Sequence, residues 1–419
     1  MLELEKRMQE EPFDVEVQAC NPDDCRHDCL TAPDWCNTHI PEIITPFLLS
    51  SAMKEILFIG FIKSINIYWR GFMYSPKVAV VDSGVDKQNQ EIMQHVIQGF
   101  SFQKSAEENG IIEEENFDDV FGHGTNCIDC ILQFAEQAQF YPIKIVNELG
   151  KTTSSLLLAA LKKCRELPVD LICLSLSVTQ ILDPAMEKEL RDICNDLEKQ
   201  GKIICASECN NAKDTIPAIY ESVIGVGELL PDAKKKVLVD RAASVQVLAD
   251  ISPIFVAGKS GRYNFFKGTS KGNAYVAGIL ARTMQTTPNI KSIQEALNIL
   301  EKTEDPLEKI DLECVGKLQT DEVGQMILEK VHRRLFEFGC TSSLDEISRY
   351  PFLSQITGVN FFNFYEFISG IYRELKITKL DYHTIKVGDV CTLYNLVEHL
   401  RRNVCYEEKE CCFGADTKV

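Results

Sequence analysis

The chain has 419 residues, 45% hydrophobic and 9% aromatic, with a formal net charge of −18 and 17 cysteines. That length holds two or three domains with a substantial buried core. The carboxylate surplus excludes a nucleic-acid binder, which needs a basic face to meet phosphate, and leaves basic or neutral peptides as the better-matched partners.

Residues 1–74 read as an N-terminal extension. It opens MLELEKRMQEEPFDVE, acidic and amphipathic, without the basic start and apolar centre of a secretory signal. Cysteines elsewhere lie inside apolar runs such as LICLSLS and KIICASE, where they behave as small buried hydrophobes. Both features place the protein in the cytoplasm, a reducing compartment. Cys20, Cys25, Cys29 and Cys36, interleaved with His27 and His39, have three readings: free thiols, a metal site of irregular spacing, or a segment that occupies the protein's own cleft. The apolar stretch EILFIGFIKSINIYWRGFMY, residues 55–74, is broken by Lys63 and Arg70. Charges there are expensive in a bilayer, so the stretch is expected to dock on the next domain and not to form a membrane span.

Residues 75–303 alternate apolar strands with helical periods. KVAVVDSG, QFYPIKIV, VDLICLSLS, KIICASE and SVIGVGEL read as strands, and TSSLLLAALKKCREL and PAMEKELRDICNDLEKQ as helices between them. The fold class is therefore α/β, a mainly parallel sheet covered on both sides.

Three polar motifs punctuate this region. VAVVDSGVD ends a strand with Asp82, DDVFGHGTNC places His123 between two glycines, and FKGTSKG presents Ser270 before a run of Gly, Ala, Val and Leu. Each has an ordinary reading: a turn-forming Asp, a loop His, a serine N-cap. Together they supply what serine acyl transfer needs, namely a hydroxyl to attack, an imidazole to carry its proton, and a carboxylate to orient the imidazole. Gly122 and Gly124 leave room for the imidazole to meet both neighbours.

In the order Asp, His, Ser, with these flanking residues, the region resembles the subtilisin-like serine proteases. The resemblance implies a subtilisin-like three-layer fold and a serine endopeptidase acting on a peptide or protein, with Asp82, His123 and Ser270 as the triad. It puts Asn210, in GKIICASECNN, in the oxyanion position, where its amide would act with the Ser270 N–H. Ser175, Leu176 and Ser177 fall where the family binds substrate. Lacking the family's glycines there, they predict a restricted set of peptides. Glu208 falls near the family's primary specificity pocket; its other reading is a solvated carboxylate. The short passage from the His123 helix into QFYPIKIV leaves no room for the family's asparagine-rich calcium loop. No metal and no cofactor are expected.

Residues 304–317, charged, read as a linker, and 318–403 as a run of helices forming a small all-α four-helix domain. GVNFFNFYEFISGIYRELKI, with the IKVGDVCTLYNLVEHLRRN that follows, resembles the second half of an acyl carrier protein. The matching position for the pantetheine serine is Phe361, so the region looks like a carrier relative without its prosthetic group, as in clostridial peptide-maturation systems. Phe361, Phe364, Ile368, Ile371 and Leu375 fall at helical spacing and read as core. That pairing of domains implies a precursor peptide as substrate, recruited by a tethered helical docking module; the alternative is a protease fold kept as a binding scaffold. Residues 404–419 are a Cys-rich tail.

Overall fold

The computed structural model describes residues 74–415 except 106–109, 179–180, 182, 211, 230–232, 307–320 and 379–380, with side chains as far as residue 404. The N-terminal Cys/His cluster, all but the last residue of the 55–74 stretch, most of the linker and the side chains of the C-terminal tail lie outside those residues.

Along the chain run β1 (Lys77–Asp82), α1 (Gln90–Met93), β2 (Phe100–Lys104), β3 (Ile111–Glu114), α2 (His123–Leu132), β4 (Gln139–Lys144), α3 (Ser154–Glu166), β5 (Leu171–Leu174), α4 (Pro184–Lys199) and β6 (Ile203–Ser207). They are followed by β7 (Ile224–Glu228), β8 (Val237–Val239), β9 (Val247–Ala249), β10 (Ile254–Ala257), β11 (Tyr263–Phe266), α5 (Thr269–Thr286) and α6 (Ile293–Glu301). The main sheet has the order β3-β2-β4-β1-β5-β6-β7-β9-β8. It is parallel except for the antiparallel edge pairs β2/β3 and β8/β9.

The expected doubly covered sheet is what these segments build. Side chains alternate along a strand, so Val78 and Val80 of β1 enter one core layer with Ile128 of α2 and Leu280 of α5. Ala79 and Val81 enter the opposite layer with Leu157 of α3 and Leu197 of α4. Cover on both faces is why β1 and β5 are continuously apolar. Helix starts are fixed locally: Thr153 caps α3, Asp183 caps α4 ahead of Pro184, and Ser292 with Glu295 forms a capping box on α6.

The helices after the linker are α7 (Glu322–Glu337), α8 (Leu344–Ser348), α9 (Phe364–Leu375), α10 (Val387–Val390) and α11 (Leu393–Ala415). Phe364, Ile368 and Ile371 are fully buried and Leu375 packs at the margin of their cluster, as helical spacing predicts. Phe361 is not part of that core. It lies in the turn before α9, half-buried, with its ring 5.1 Å from that of Phe265 on β11.

Nor are the helices a tethered body, because residues 73–419 form one compact unit. β10 and β11 make a small antiparallel sheet whose Phe255 belongs to the helices' own core cluster, with Tyr263 and Phe265 packed against it. Covering those aromatic faces removes them from water, and that joins the two regions. A polar contact adds to this, His383 Nε2 lying 2.9 Å from Asp129 Oδ2 of α2. The start of the linker is anchored too, Tyr275 donating to Asp305 at 2.8 Å. Among the described residues no helix is long and apolar enough to cross a membrane.

Candidate active site

β1, β5 and β6 are neighbours in the sheet, so their carboxyl ends, with Asp82 as the last residue of β1 and Ser175–Ser177 and Asn210 in the loops after β5 and β6, open along one edge. In parallel sheets that edge is where ligands bind.

Asp82 is 1% exposed and accepts from Ser83 N at 2.7 Å. His123, the first residue of α2, brings Nδ1 to 2.9 Å from each Asp82 carboxylate oxygen. A ring nitrogen facing a carboxylate carries the proton, which leaves Nε2 with a lone pair. Burial pushes the imidazole pKa down, but Asp82 and, less strongly, Asp119 outweigh it and hold it above the ordinary histidine value.

The two glycines beside His123 serve the backbone and not, as read from sequence, the imidazole. Gly122 caps α2 at φ +97°, in left-handed backbone that disfavours side chains. A Cβ on Gly124 would stand 2.2 Å from Gly84 O, so only glycine lets α2 approach the loop after β1.

Asp119 escaped the sequence reading. It is 1% exposed and accepts from Gly122 N at 2.6 Å, Thr125 N at 2.9 Å and Thr125 Oγ1 at 2.7 Å. It thereby holds the turn that carries His123. Its position before the helix start, with a threonine six residues on, was the available signal.

Cys127, one turn after His123, has Sγ 3.8 Å from Asp82 Oδ2 and 3.9 Å from His123 Nδ1. Asp82, His123 and Cys127 offer ligand atoms within 4.8 Å of one another. Burial pushes this thiol well above its ordinary pKa, so it is a protonated neighbour, while the carboxylate and Nδ1 are already bonded to each other. That chemistry fits an Asp–His pair better than a metal cage, whose ligands must be deprotonated and free.

Ser270 is the second residue of α5. Gly268, at φ +83°, takes the N-cap, so the serine N-cap reading is wrong. Ser270 Oγ makes a long, 3.5 Å hydrogen bond to Ser175 O, and Ser175 Oγ donates to Ser270 O at 3.3 Å. Asn273 Nδ2 donates to Ser175 Oγ at 3.2 Å and so steadies this exchange from below. No hydrogen bond joins Ser270 to His123 among the described residues.

Asn210 is exposed in the turn after β6. Its Oδ1 accepts from Thr269 N at 3.0 Å and Thr269 Oγ1 at 3.2 Å, next to Ser270 in the chain, and no hydrogen bond among the described residues uses its Nδ2. The Ser270 N–H belongs to the first turn of α5, which has no intrahelical acceptor. Leu176 and Ser177 are half-buried in the segment after β5, which is pinned where Val178 exchanges hydrogen bonds of 2.8 and 2.9 Å with Ile216.

Glu208 is not a solvated carboxylate, being 4% exposed. Its Oε2 meets Lys213 at 3.0 Å and its Oε1 accepts from Asp214 N at 3.0 Å. Both oxygens are committed to bracing the loop that carries Asn210. The structure thus brings together Asp82 with His123, Ser175 with Ser270, and Asn210 with Thr269.

The Subtilase family model (Peptidase_S8) matches residues 75–311. Subtilisin DY of Bacillus licheniformis is 24% identical over 253 residues, covering 56% of this chain and 86% of that protein. The Intracellular serine protease of Paenibacillus polymyxa is 25% identical over 224 residues, covering 50% and 66%. A cold-adapted subtilisin-like serine proteinase of known structure aligns with a TM-score of 0.43 at 19% identity, covering 54% of this chain and 81% of its own.

Proposed function

The chain belongs to the subtilase family, a subtilisin-like serine protease, and from that premise we propose that Ser270 is its nucleophile, His123 its general base and acid, Asp82 the residue that orients His123, and Asn210 an oxyanion donor. The observation that carries this reading is the clamp of His123 Nδ1 by both Asp82 oxygens at 2.9 Å, with Nε2 left as the base.

The steps follow from those atoms. Ser270 Oγ attacks the scissile carbonyl carbon while its proton passes to His123 Nε2, and buried Asp82 stabilises the imidazolium. The developing oxyanion is met by Asn210 Nδ2 and the Ser270 N–H, donors at the positive end of α5. As the carbon–nitrogen bond breaks, His123 returns the proton to the departing amine. Water then attacks the acyl-serine by the same route in reverse.

The substrate is a peptide or protein segment, and we take a precursor peptide as its natural form because helices that wall the cleft favour a selected sequence over broad digestion. The cytoplasm is the proposed location. Supporting this, Cys127, Cys130, Cys164, Cys173, Cys194, Cys205 and Cys340 are buried thiols without a disulfide, and the relative from Paenibacillus polymyxa is named an intracellular protease.

A fluorophosphonate probe incubated with the full chain should add to Ser270, located by peptide mass spectrometry, and Ser270→Ala should abolish both adduct and peptide hydrolysis. Hydrolysis that survives Ser270→Ala in the purified protein would rule the assignment out.

A further inference from the structure

A cleft of about 450 Å³ opens beside His123. One wall belongs to the His123 segment and another to β11 with the residues on either side of it, Lys259 and Arg262 before and Lys267 after. The third is the turn before α9, with Phe361 and Phe362. Phe362 is 97% exposed and Phe121 across from it 49%, so the rim carries an apolar patch of the kind that marks binding grooves. Phe265 and Phe361, ring to ring at 5.1 Å, line the cleft further in.

Charge singles out this cleft as well. The chain as a whole is acidic, which predicts basic or neutral partners, yet the cleft is lined by Lys259, Arg262 and Lys267. Arg262 is paired with Glu366. Lys259 Nζ donates only to Val120 O, at 3.0 Å, and Lys267 Nζ stands 5.0 Å from the centre of the Phe361 ring, neither with a carboxylate partner among the described residues. An ammonium group beside the Phe361 ring, with a second cation lining the same cleft, complements a carboxylate next to an aromatic or large apolar side chain.

The direction of the substrate follows from the proposed mechanism, on which this inference rests. His123 lines the cleft and hands its proton to the departing amine, whereas Asn210, proposed to meet the oxygen of the acyl carbonyl, and Ser175, bonded to Ser270, do not line it. The cleft therefore faces the part of the substrate that leaves. We infer that it is a leaving-side subsite built jointly by the protease and its C-terminal helices, in which Phe361, Phe362 and Lys267 recognise an acidic, aromatic-bearing segment after the scissile bond.

Acyl transfer reads this subsite separately from the nucleophile. An ester with no residue on its leaving side acylates Ser270, and an added dipeptide amide then competes with water. The amine nitrogen bonds to the acyl carbon, the carbon–Oγ bond breaks, and the amine proton passes through His123 to Ser270 Oγ. The ratio of aminolysis to hydrolysis should be at least about ten-fold higher for Phe-Asp or Asp-Phe amide than for Ala-Ala or Phe-Lys amide. Phe361→Ala and Lys267→Gln should each reduce that preference about three-fold or more, and about 0.5 M NaCl should erode the acidic part.

Ester turnover with equal capture of all four amides, or with a preference that neither substitution moves, overturns the subsite and leaves the proposed nucleophile standing. Absence of both ester turnover and a fluorophosphonate adduct on Ser270 overturns the nucleophile, and the subsite with it.

Discussion

Lys271 follows the proposed nucleophile directly and is 2% exposed, with Nζ 2.8 Å from Asp250 Oδ2 and 2.8 Å from Asp250 O. At an effective dielectric of ~20 the attraction at that distance is about 6 kcal/mol, much of it offset by desolvation of both ions. Breaking the pair is therefore costlier than the pair is worth, since it strands a buried charge at about 3–5 kcal/mol. Lys271→Met should fall at the lower end, because Ser252 N at 2.9 Å and Ser252 Oγ at 2.8 Å continue to serve the carboxylate. In urea unfolding followed by circular dichroism, with m of ~3 kcal/mol/M, the midpoint should drop by about 1 M. The double variant Lys271→Met/Asp250→Asn should lose at least about 2 kcal/mol less than the two single losses added together. Burial pushes the Asp250 carboxyl up in pKa, but Lys271 and Ser252 outweigh it and hold it below the ordinary value. Its contribution is thus complete above the unfolded value of ~3.9 and is lost as pH falls through the lower folded value, an acid loss that Lys271→Met should diminish. A single variant within about 0.5 kcal/mol of wild type, or additive losses, would refute the reasoning.

Because His123 is held above its ordinary value and must be neutral to act as base, kcat/KM should rise with pH through a midpoint above ~6.5. Asp82→Asn should move that midpoint down and lower kcat by roughly 10⁴; an unmoved acid limb in the variant would contradict the pairing. Asn210→Ala should lower kcat about 10²–10³-fold with little change in KM, and a loss confined to KM would make the residue a ground-state contact. Brief iodoacetamide treatment, read by mass spectrometry, should modify half-exposed Cys209 well before Cys127 or Cys173. Burial raises both of those thiols, Cys173 to about 12, and equal rates would count against it.

The sheet was legible because each central strand is an apolar run set between periodic helices, and the polar residues that interrupt the pattern, Asp82 and Asn210, mark where strands end at the site edge. What stayed hidden depends on contacts that close back over a few residues. Asp119 reads as one of two adjacent aspartates, and its role appears only when Gly122 N and Thr125 fold onto its carboxylate. Glu208 reads as a surface acid until Asp214, at φ +55°, turns the chain so that its own N–H and Lys213 meet it. Ser270 reads as an N-cap because serine favours that place. Gly268 takes it in left-handed backbone, where a Cβ would come within 2.9 Å of Asn210 Oδ1, and this moves the serine into the first turn beside a free N–H.

The segment NFFNF shows why helical spacing misplaced the aromatic wall of the cleft. Phe361 and Phe364 are three apart and match one helix face, yet the helix cannot extend back to Phe361. Asn360 Oδ1 accepts from Phe362 N at 2.8 Å, Asn363 Oδ1 accepts from Asn360 N at 2.7 Å, and Asn363 Nδ2 donates to Gly358 O at 2.9 Å. Asparagine side chains that bond to nearby backbone compete with the helix in this way and favour turns. The same five letters therefore code a helix by their phenylalanines and a turn by their asparagines, and in the folded chain the turn's local bonds prevail. Its consequence is chemical: Phe364 enters the core, while Phe361 and Phe362 are left at the cleft beside His123. Polar residues that do not line the cleft are thus the ones that decide which aromatic rings do.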